Sequence, residues 1–238
     1  MNYTNMKNDL RYERKFYSND LSILQIQDYF LTHPASFKIA YPDRHINNVY
    51  YDTNDFNMYR HGVEGDSNRV KVRMRWYGDL FNIDITPTLE LKRKFGHVGD
   101  KMKWKLSTFM TTDAMLSAAQ KVDSLLDNSV NNYSTINTVL PLVRPVLINR
   151  YERKYLISAD QKYRVTIDQG MCYFTNSINK SSFEKPEKID GVVVEVKYLP
   201  IDHDGVSIIT NQIPIRLSKF SKYLNGVEAL FKSNRLFV

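Results

Sequence analysis

The sequence predicts an α+β protein built on an antiparallel, eight-stranded β-barrel that encloses a tunnel and carries flanking helices. Three observations lead there. Many short segments alternate polar and apolar residues with a period of two, the pattern of half-buried strands. Helical segments between them are too few to supply the crossovers of a parallel sheet. Several strands carry cations along one face, and closure into a barrel would remove exposed edges and gather those faces inward.

The elements follow in order. Residues 10–17 read as a strand, with Arg11, Glu13 and Lys15 alternating with Leu10, Tyr12, Arg14 and Phe16. Ser18 or Asn19 is placed to cap a helix over residues 21–32. Residues 46–51 read as a strand and residues 54–61 as a short helix ended near Gly62. Three cationic strands come next. Arg69, Lys71, Arg73 and Arg75 alternate with Val70, Val72, Met74 and Trp76. Glu90, Lys92 and Lys94 alternate with Leu89, Leu91, Arg93 and Phe95; Lys101, Lys103 and Lys105 alternate with Met102, Trp104 and Leu106. A helical insert is expected at about residues 111–140. Strands resume over 143–158, 163–168, 171–175 and 191–199, with a surface loop at 176–188. A helix at 204–211 and a closing helix at about 218–232 complete a single domain over residues 1–238. The hexapeptide from Arg11 to Phe16 echoes the one from Arg150 to Tyr155, which suggests two halves of one sheet.

Composition narrows the function. The chain has 238 residues, 42% hydrophobic and 25% charged, and so has the composition of a globular protein. Folding at this length buries roughly 70% of the unfolded surface, enough for a core without metal or disulfide staples. The single cysteine, Cys172, excludes an intramolecular disulfide and a cysteine-based zinc cluster. No apolar run approaches the ~20 residues that cross a bilayer. The first residues are polar rather than signal-like, so a soluble, cytoplasmic protein without a membrane segment is expected. The formal net charge is +7, and residues 69–105 alone hold ten Lys/Arg against four Asp/Glu. Such a concentration calls for a polyanionic partner.

Rows of cations on successive strands would repel one another if they faced only water. Convergent Arg and Lys suit linked phosphates, Arg by its fork and Lys as a point charge. Glu13, Glu90, Glu152 and Glu195 share those faces. Each either pairs a cation or helps bind Mg²⁺ or Mn²⁺, which favour carboxylate and phosphate oxygens. Common nucleotide signatures are missing. The stretch Gly96-His97-Val98-Gly99-Asp100-Lys101 is not a P-loop, and the five histidines show no metal spacing.

Five blocks together resemble a known family. They are Arg11-Tyr12-Glu13-Arg14-Lys15-Phe16, Arg73-Met74-Arg75-Trp76-Tyr77-Gly78, Glu90-Leu91-Lys92-Arg93-Lys94, Glu195-Val196-Lys197 and Lys219-Phe220-Ser221-Lys222-Tyr223-Leu224-Asn225-Gly226. The chain resembles, over about residues 9–231, the VTC domain, the polyphosphate polymerase domain of the vacuolar transporter chaperone, a triphosphate tunnel metalloenzyme of CYTH-like type. The resemblance implies transfer of the γ-phosphate of ATP onto inorganic polyphosphate, with Mn²⁺ or Mg²⁺ as the divalent metal. It implies Lys15, Arg73, Arg75, Lys92 and Arg153 as catalytic cations. Lys103, Tyr151, Arg164, Lys197, Lys219, Ser221 and Lys222 would bind substrate, and Glu195, Glu90 and Glu13 would serve the metal. Many tunnel hydrolases open with E-x-E-x-K. Here Arg11 stands in place of the first Glu, which leaves one fewer carboxylate for a second metal and favours transfer over hydrolysis. On this reading Arg153 has the opposite strand parity to Arg150 and Lys154, so either a bulge re-aims the strand or the face assignment is reversed.

Two other readings stay open beside the polymerase: a triphosphatase acting on triphosphate or nucleotides, and a non-catalytic polyphosphate-binding module. Nucleic acid is ranked last as a partner, because cations inside a closed barrel do not reach a duplex.

Overall fold

The protein is described here by a computed structural model covering residues 11–81, 85–95, 98–106, 138–175, 185–233 and 236. The strands are β1 (Tyr12–Ser18), β2 (Lys38–Asp52), β3 (Asn68–Tyr77), β4 (Thr88–Phe95), β5 (Val98–Lys105), β6 (Arg144–Ile157), β7 (Arg164–Thr175), β8 (Glu187–Ile189) and β9 (Val192–Tyr198). The α-helices are α1 (Ile23–Leu31), α2 (Asn57–Glu64), α3 (Val206–Thr210) and α4 (Lys222–Lys232). The strands pair in the order β1-β9-β7-β6-β2-β3-β4-β5, with β8 added on β7. The nine strand segments expected from the sequence make up the eight strands on this path, two of them joining in β7, and β8 stands where a loop was expected. The ladders β1–β9, β7–β9, β2–β3, β3–β4 and β4–β5 are all antiparallel.

Two compact units divide the chain. The first comprises Met1–Arg44, Tyr151–Met171 and Ile189–Ser221; the second comprises His45–Arg150, Cys172–Lys188 and Lys222–Val238. In the first, the inner positions Phe16, Val165, Ile167, Val192, Val194 and Val196 pack with Ile23, Ile26 and Phe30 of α1. In the second, Val72, Met74 and Trp76 of β3 pack with Leu89, Leu91 and Trp104. These are the apolar parities expected from the alternation, buried because one face of each strand must leave water.

Several boundaries differ from expectation for physical reasons. Helix α1 starts later, because Ser22 rather than Ser18 or Asn19 caps it. The Ser22 hydroxyl accepts from Gln25 N at 3.3 Å, and Gln25 Oε1 accepts from Ser22 N at 2.9 Å, a reciprocal capping box. Helix α2 passes through Gly62 and stops at Gly65, which takes φ +79° as a C-cap. Its N-terminus has no side-chain cap of its own. Instead Asp52 accepts from Met58 N at 2.8 Å and Tyr59 N at 2.9 Å, and Tyr223 Oη donates to the same carboxylate. The two strands expected at 163–168 and 171–175 are one. Gly170 bends through φ +62° within it without ending the ladder. Helix α4 starts at Lys222 rather than 218, because Leu217 bridges Phe16 and Ser218 N donates to Lys15 O at 2.8 Å. Those residues extend the edge of β1. The expected helical insert falls almost wholly on residues 107–137, and most of the expected loop on residues 176–184, all outside the described residues. Among the described residues no helix is long and apolar enough to cross a membrane.

Candidate functional site: two charged sheet faces

In the first unit the register lines polar residues up strand by strand. Arg164 pairs with Lys197, which pairs with Glu13; Thr166 pairs with Glu195, which pairs with Lys15. Paired residues share a face, so this side of β7, β9 and β1 carries alternating signs. Lys15 Nζ lies 2.9 Å from Glu13 Oε1 and 3.3 Å from Glu195 Oε1. Lys197 Nζ lies 2.7 Å from Glu195 Oε2 and 4.0 Å from Glu13 Oε2. Two ammonium groups therefore touch the same two carboxylates. Burial alone would push the Lys15 ammonium down, but Glu195 and Glu13 outweigh it and hold the group above the ordinary lysine range. Lys15 Nζ also donates to Phe220 O at 3.3 Å, which ties the Lys219–Ser221 segment to β1.

Strand β6 adds Arg153. Its Nε donates to Asp168 Oδ1 at 2.5 Å and its Nη2 to Asp168 Oδ2 at 2.7 Å. A further contact of 3.8 Å reaches Glu195 Oε2, and the guanidinium lies 5.3 Å from the Tyr151 ring centre. Burial opposes the charge, but Asp168 overrides it and raises the arginine further. The strand runs unbroken through Arg153. Arg153 against Asp168 and Ser158 against Tyr163 keep one register between β6 and β7, so the face assignment is what changes: Tyr151 and Arg153 share one side. Glu152 and Lys154 hold other partners, Gln169 Nε2 at 2.6 Å and Asp43 Oδ2 at 2.5 Å. The hexapeptide echo is consequently not a structural repeat, since β1 presents Glu13 and Lys15, its third and fifth positions, whereas β6 presents its second and fourth.

In the second unit the corresponding face is richer in cations. Arg73 on β3 pairs in register with Glu90 on β4, which pairs with Lys103 on β5. One row along, Lys71, Lys92 and Lys101 stand opposite one another. The buried Glu90 carboxylate accepts from Arg73 Nε at 2.6 Å, with Arg73 Nη2 at 2.5 Å and Lys101 Nζ at 2.6 Å. Burial would raise it, but Arg73, Arg75 and Lys101 together lower it to about 2. Lys101 goes the other way. Burial, then the Arg73 charge, bring it down to about 8 against the pull of Glu90. Arg75 is buried and donates from Nε to Asn48 Oδ1 at 2.8 Å; Asn48 Nδ2 donates to Asn149 Oδ1 at 3.3 Å.

The expected residues thus fall into two sets. Lys15, Tyr151, Arg153, Arg164, Lys197, Lys219, Ser221, Glu13 and Glu195 belong to the first unit, and Arg73, Arg75, Lys92, Lys103, Lys222 and Glu90 to the second. Arg164 and Lys219 are exposed and form no ion pair among the described residues. Lys103 is exposed, and it is Lys101 that reaches Glu90. Lys222 is buried at the first position of α4. Three partners were not anticipated: Asp168, Lys101 as the Glu90 contact, and the Asn48–Asn149 pair. Asp168 had a signal, because it shares the parity of Arg164 and Thr166 on a strand otherwise short of acids.

Comparison with known proteins places the chain. The VTC domain family model matches residues 10–231. Among curated proteins none matches. Of solved structures, the PH1819 protein of Pyrococcus horikoshii OT3 is 13% identical with a TM-score of 0.51, covering 92% of this chain and 99% of that one. A candidate adenylate cyclase of Bacillus halodurans is 14% identical with a TM-score of 0.51, covering 89% and 94%. HpAC1 from Hippeastrum, for which a dominant triphosphatase activity is described, is 14% identical with a TM-score of 0.51, covering 96% and 98%. At these identities the likeness is one of fold: an antiparallel sheet of eight or nine strands with few helices.

Proposed function

We propose, from the premise that this chain belongs to the VTC domain family, that it moves the γ-phosphate of ATP onto inorganic polyphosphate with the help of a divalent metal. One observation supports this most: Lys15 and Lys197 each touch both Glu13 and Glu195. Two hard carboxylates brought together in this way suit Mg²⁺ or Mn²⁺, which take one or two carboxylates and fill the remaining positions with water and phosphate oxygens. Among the described residues no three of His, Cys, Asp and Glu gather for a metal, so substrate oxygens would complete the shell. Glu195 and Glu13 would hold the ion, and it would neutralise charge developing on the transferred phosphoryl group. Glu90, clasped by Arg73 and Lys101, serves better as their counter-ion than as a ligand.

The remaining work is positioning and charge. Lys15, held charged by its carboxylates, and Lys197 bind phosphate oxygens as point charges. Asp168 fixes the plane of the Arg153 guanidinium, so its orientation needs no rearrangement when a phosphate arrives. On the second unit's face, Arg73, Arg75 and Lys92 bind phosphates, with Arg75 held in place by Asn48. No protein nucleophile is required. A terminal oxygen of the polyphosphate chain attacks the γ-phosphorus, that bond forms as the β–γ bridge breaks, and ADP leaves.

The test is product analysis after incubation with ATP and Mn²⁺. ADP should appear in step with lengthening polyphosphate, and Glu195→Gln should lower the rate by at least about tenfold, the loss expected for a metal-site ligand or its close partner. Formation of neither polyphosphate nor free phosphate under varied metals would sink the enzymatic reading. It would leave a polyphosphate-binding module, in which Glu195→Gln spares binding. A second reading, triphosphate hydrolysis, draws on Glu13. A quarter of this carboxylate is exposed beside Lys15, where it can reach a water. Free phosphate without chain growth would select it.

A further inference from the structure

We infer that Tyr41, Arg44 and Tyr155 form a platform for the base of the nucleotide donor, an inference that rests on the nucleotide-dependent reading above. The Tyr41 and Tyr155 rings meet edge to face, with centres 5.7 Å apart and planes at 86°. The Arg44 guanidinium lies 5.6 Å from the Tyr41 ring centre and 5.8 Å from that of Tyr155. Tyr41 is 56% exposed, and Arg44 is exposed as well. An exposed and a half-buried aromatic beside a guanidinium offer a stacking surface with a positive charge at its edge, which suits a base bearing a phosphate tail.

Position is what ties this cluster to the charged face. Tyr155 lies two residues beyond Arg153 on the same side of β6, about 7 Å along the strand. Ser158 N donates to Tyr163 O at 3.0 Å, and Arg153 reaches Asp168. Both contacts set a pairing of β6 with β7 that puts Tyr155 opposite Thr166. Thr166 is in register with Glu195, and Glu195 with Lys15. One row across four strands therefore runs Tyr155, Thr166, Glu195, Lys15. At the usual strand spacing, Glu195 is about 10 Å and Lys15 about 14 Å from Tyr155. A nucleotide whose base stacks on Tyr155 lays its phosphates along the row toward the paired carboxylates and ammonium groups. Between the two ends, the buried Thr166 Oγ1 has no hydrogen-bond partner. It stands where a ribose hydroxyl or an ester oxygen would pass, and such a group would satisfy it. Stacking reads no hydrogen-bond pattern, so purine and pyrimidine donors should both be accepted.

Titration calorimetry on the full chain with Mn²⁺ separates the possibilities, using ATP and inorganic tripolyphosphate as probes. Tyr155→Leu and Tyr41→Leu should weaken ATP by about 5-fold to 150-fold, the range of one lost base–aromatic stack. Tripolyphosphate affinity should stay unchanged, and Tyr155→Phe should bind ATP like the wild type. Equal loss for both probes, or loss for neither, would overturn the platform. Wild-type protein that binds tripolyphosphate but gains nothing from the nucleoside would also overturn it while leaving a phosphate-binding face intact. Failure to bind either probe would instead sink the functional reading beneath it. Should Tyr155→Leu fail to fold, the exposed positions carry the same test through Tyr41→Leu and Arg44→Ala. Saturation transfer from tyrosine ring protons to the adenine protons gives an independent readout, and its absence with bound ATP counts against the platform.

Discussion

Replacing Asp168 by alanine isolates the most demanding interaction in the first unit. Asp168 is fully buried and Arg153 is 8% exposed, and they share two bonds of 2.5 and 2.7 Å. Removing one member of such a pair leaves a charge stranded in the interior, at a typical loss of about 3–5 kcal/mol. Glu195, 3.8 Å from Arg153 Nη2, partly compensates, which places the expected loss near the lower end, about 3 kcal/mol. For a chain of this length that corresponds to a fall in Tm of about 6–12 °C. Urea unfolding should show a lower midpoint with an unchanged slope. The companion change Arg153→Met with Asp168→Leu should recover most of the loss, because a packed apolar pair need not be desolvated as ions. A loss below about 1 kcal/mol for Asp168→Ala would refute the reasoning, since it would mean that the guanidinium reaches water or another acid at little expense.

Three more outcomes follow from the second unit. Glu90 is held near 2, below its unfolded value, so the stability it contributes is present above about pH 4.5 and drains away as the pH falls toward 2; the wild type should lose on the order of 3 kcal/mol over that window and Glu90→Gln should not, as urea unfolding at several pH values will show. Lys101, lowered to about 8 in the folded chain, sheds its proton above that pH, so folding is favoured by rising pH between about 8 and 10.5 while tripolyphosphate binding weakens; Lys101→Met should flatten the binding profile between pH 7 and 9. Gly226→Ala drives a methyl into the buried Tyr173 ring and to 3.2 Å from Leu147. Overpacking of about 1–3 kcal/mol outweighs the ~1 kcal/mol gain in helix propensity, and thermal melts should show a lower Tm.

Much of this was legible in the alternation. The rows Arg69–Arg75 and Glu90–Lys94 stand on the faces their parity dictates, because a sheet with one dry face fixes register strongly. The charged blocks gave the family for the same reason: their spacing records which residues must emerge side by side. What stayed hidden depends on contacts distant in sequence. The start of α4 is set by Ser218 bonding to Lys15, 203 residues away in the chain, and its local sequence reads as helix from residue 218. Asp52 caps α2 from outside the helix, so no residue next to Asn57 signals it. The face of Arg153 stayed open in the sequence because Arg150, Glu152 and Lys154 alternate like a charged row, yet they are half-buried on the other side of β6, while Arg153 is buried beside Asp168.

The two faces differ in how their charges are balanced. In the first unit, Lys15, Lys197 and Arg153 are each matched by Glu13, Glu195 or Asp168. The face is close to neutral before any ligand arrives, and under the proposed function Glu13 and Glu195 would turn to the metal while phosphate oxygens took their place beside Lys15 and Lys197. In the second unit, Glu90 is the sole acid along the described rows of β3, β4 and β5 on its face, and Lys71, Lys92 and Lys101 oppose one another in register. Like charges facing one another in such a row repel, and under the proposed function a polyanion laid across it would offset that repulsion. Binding to the second face should therefore weaken steeply with ionic strength, whereas the metal-dependent step on the first should not. The two dependences are separable in one experiment, with salt titrated against tripolyphosphate affinity and Mn²⁺ titrated against turnover.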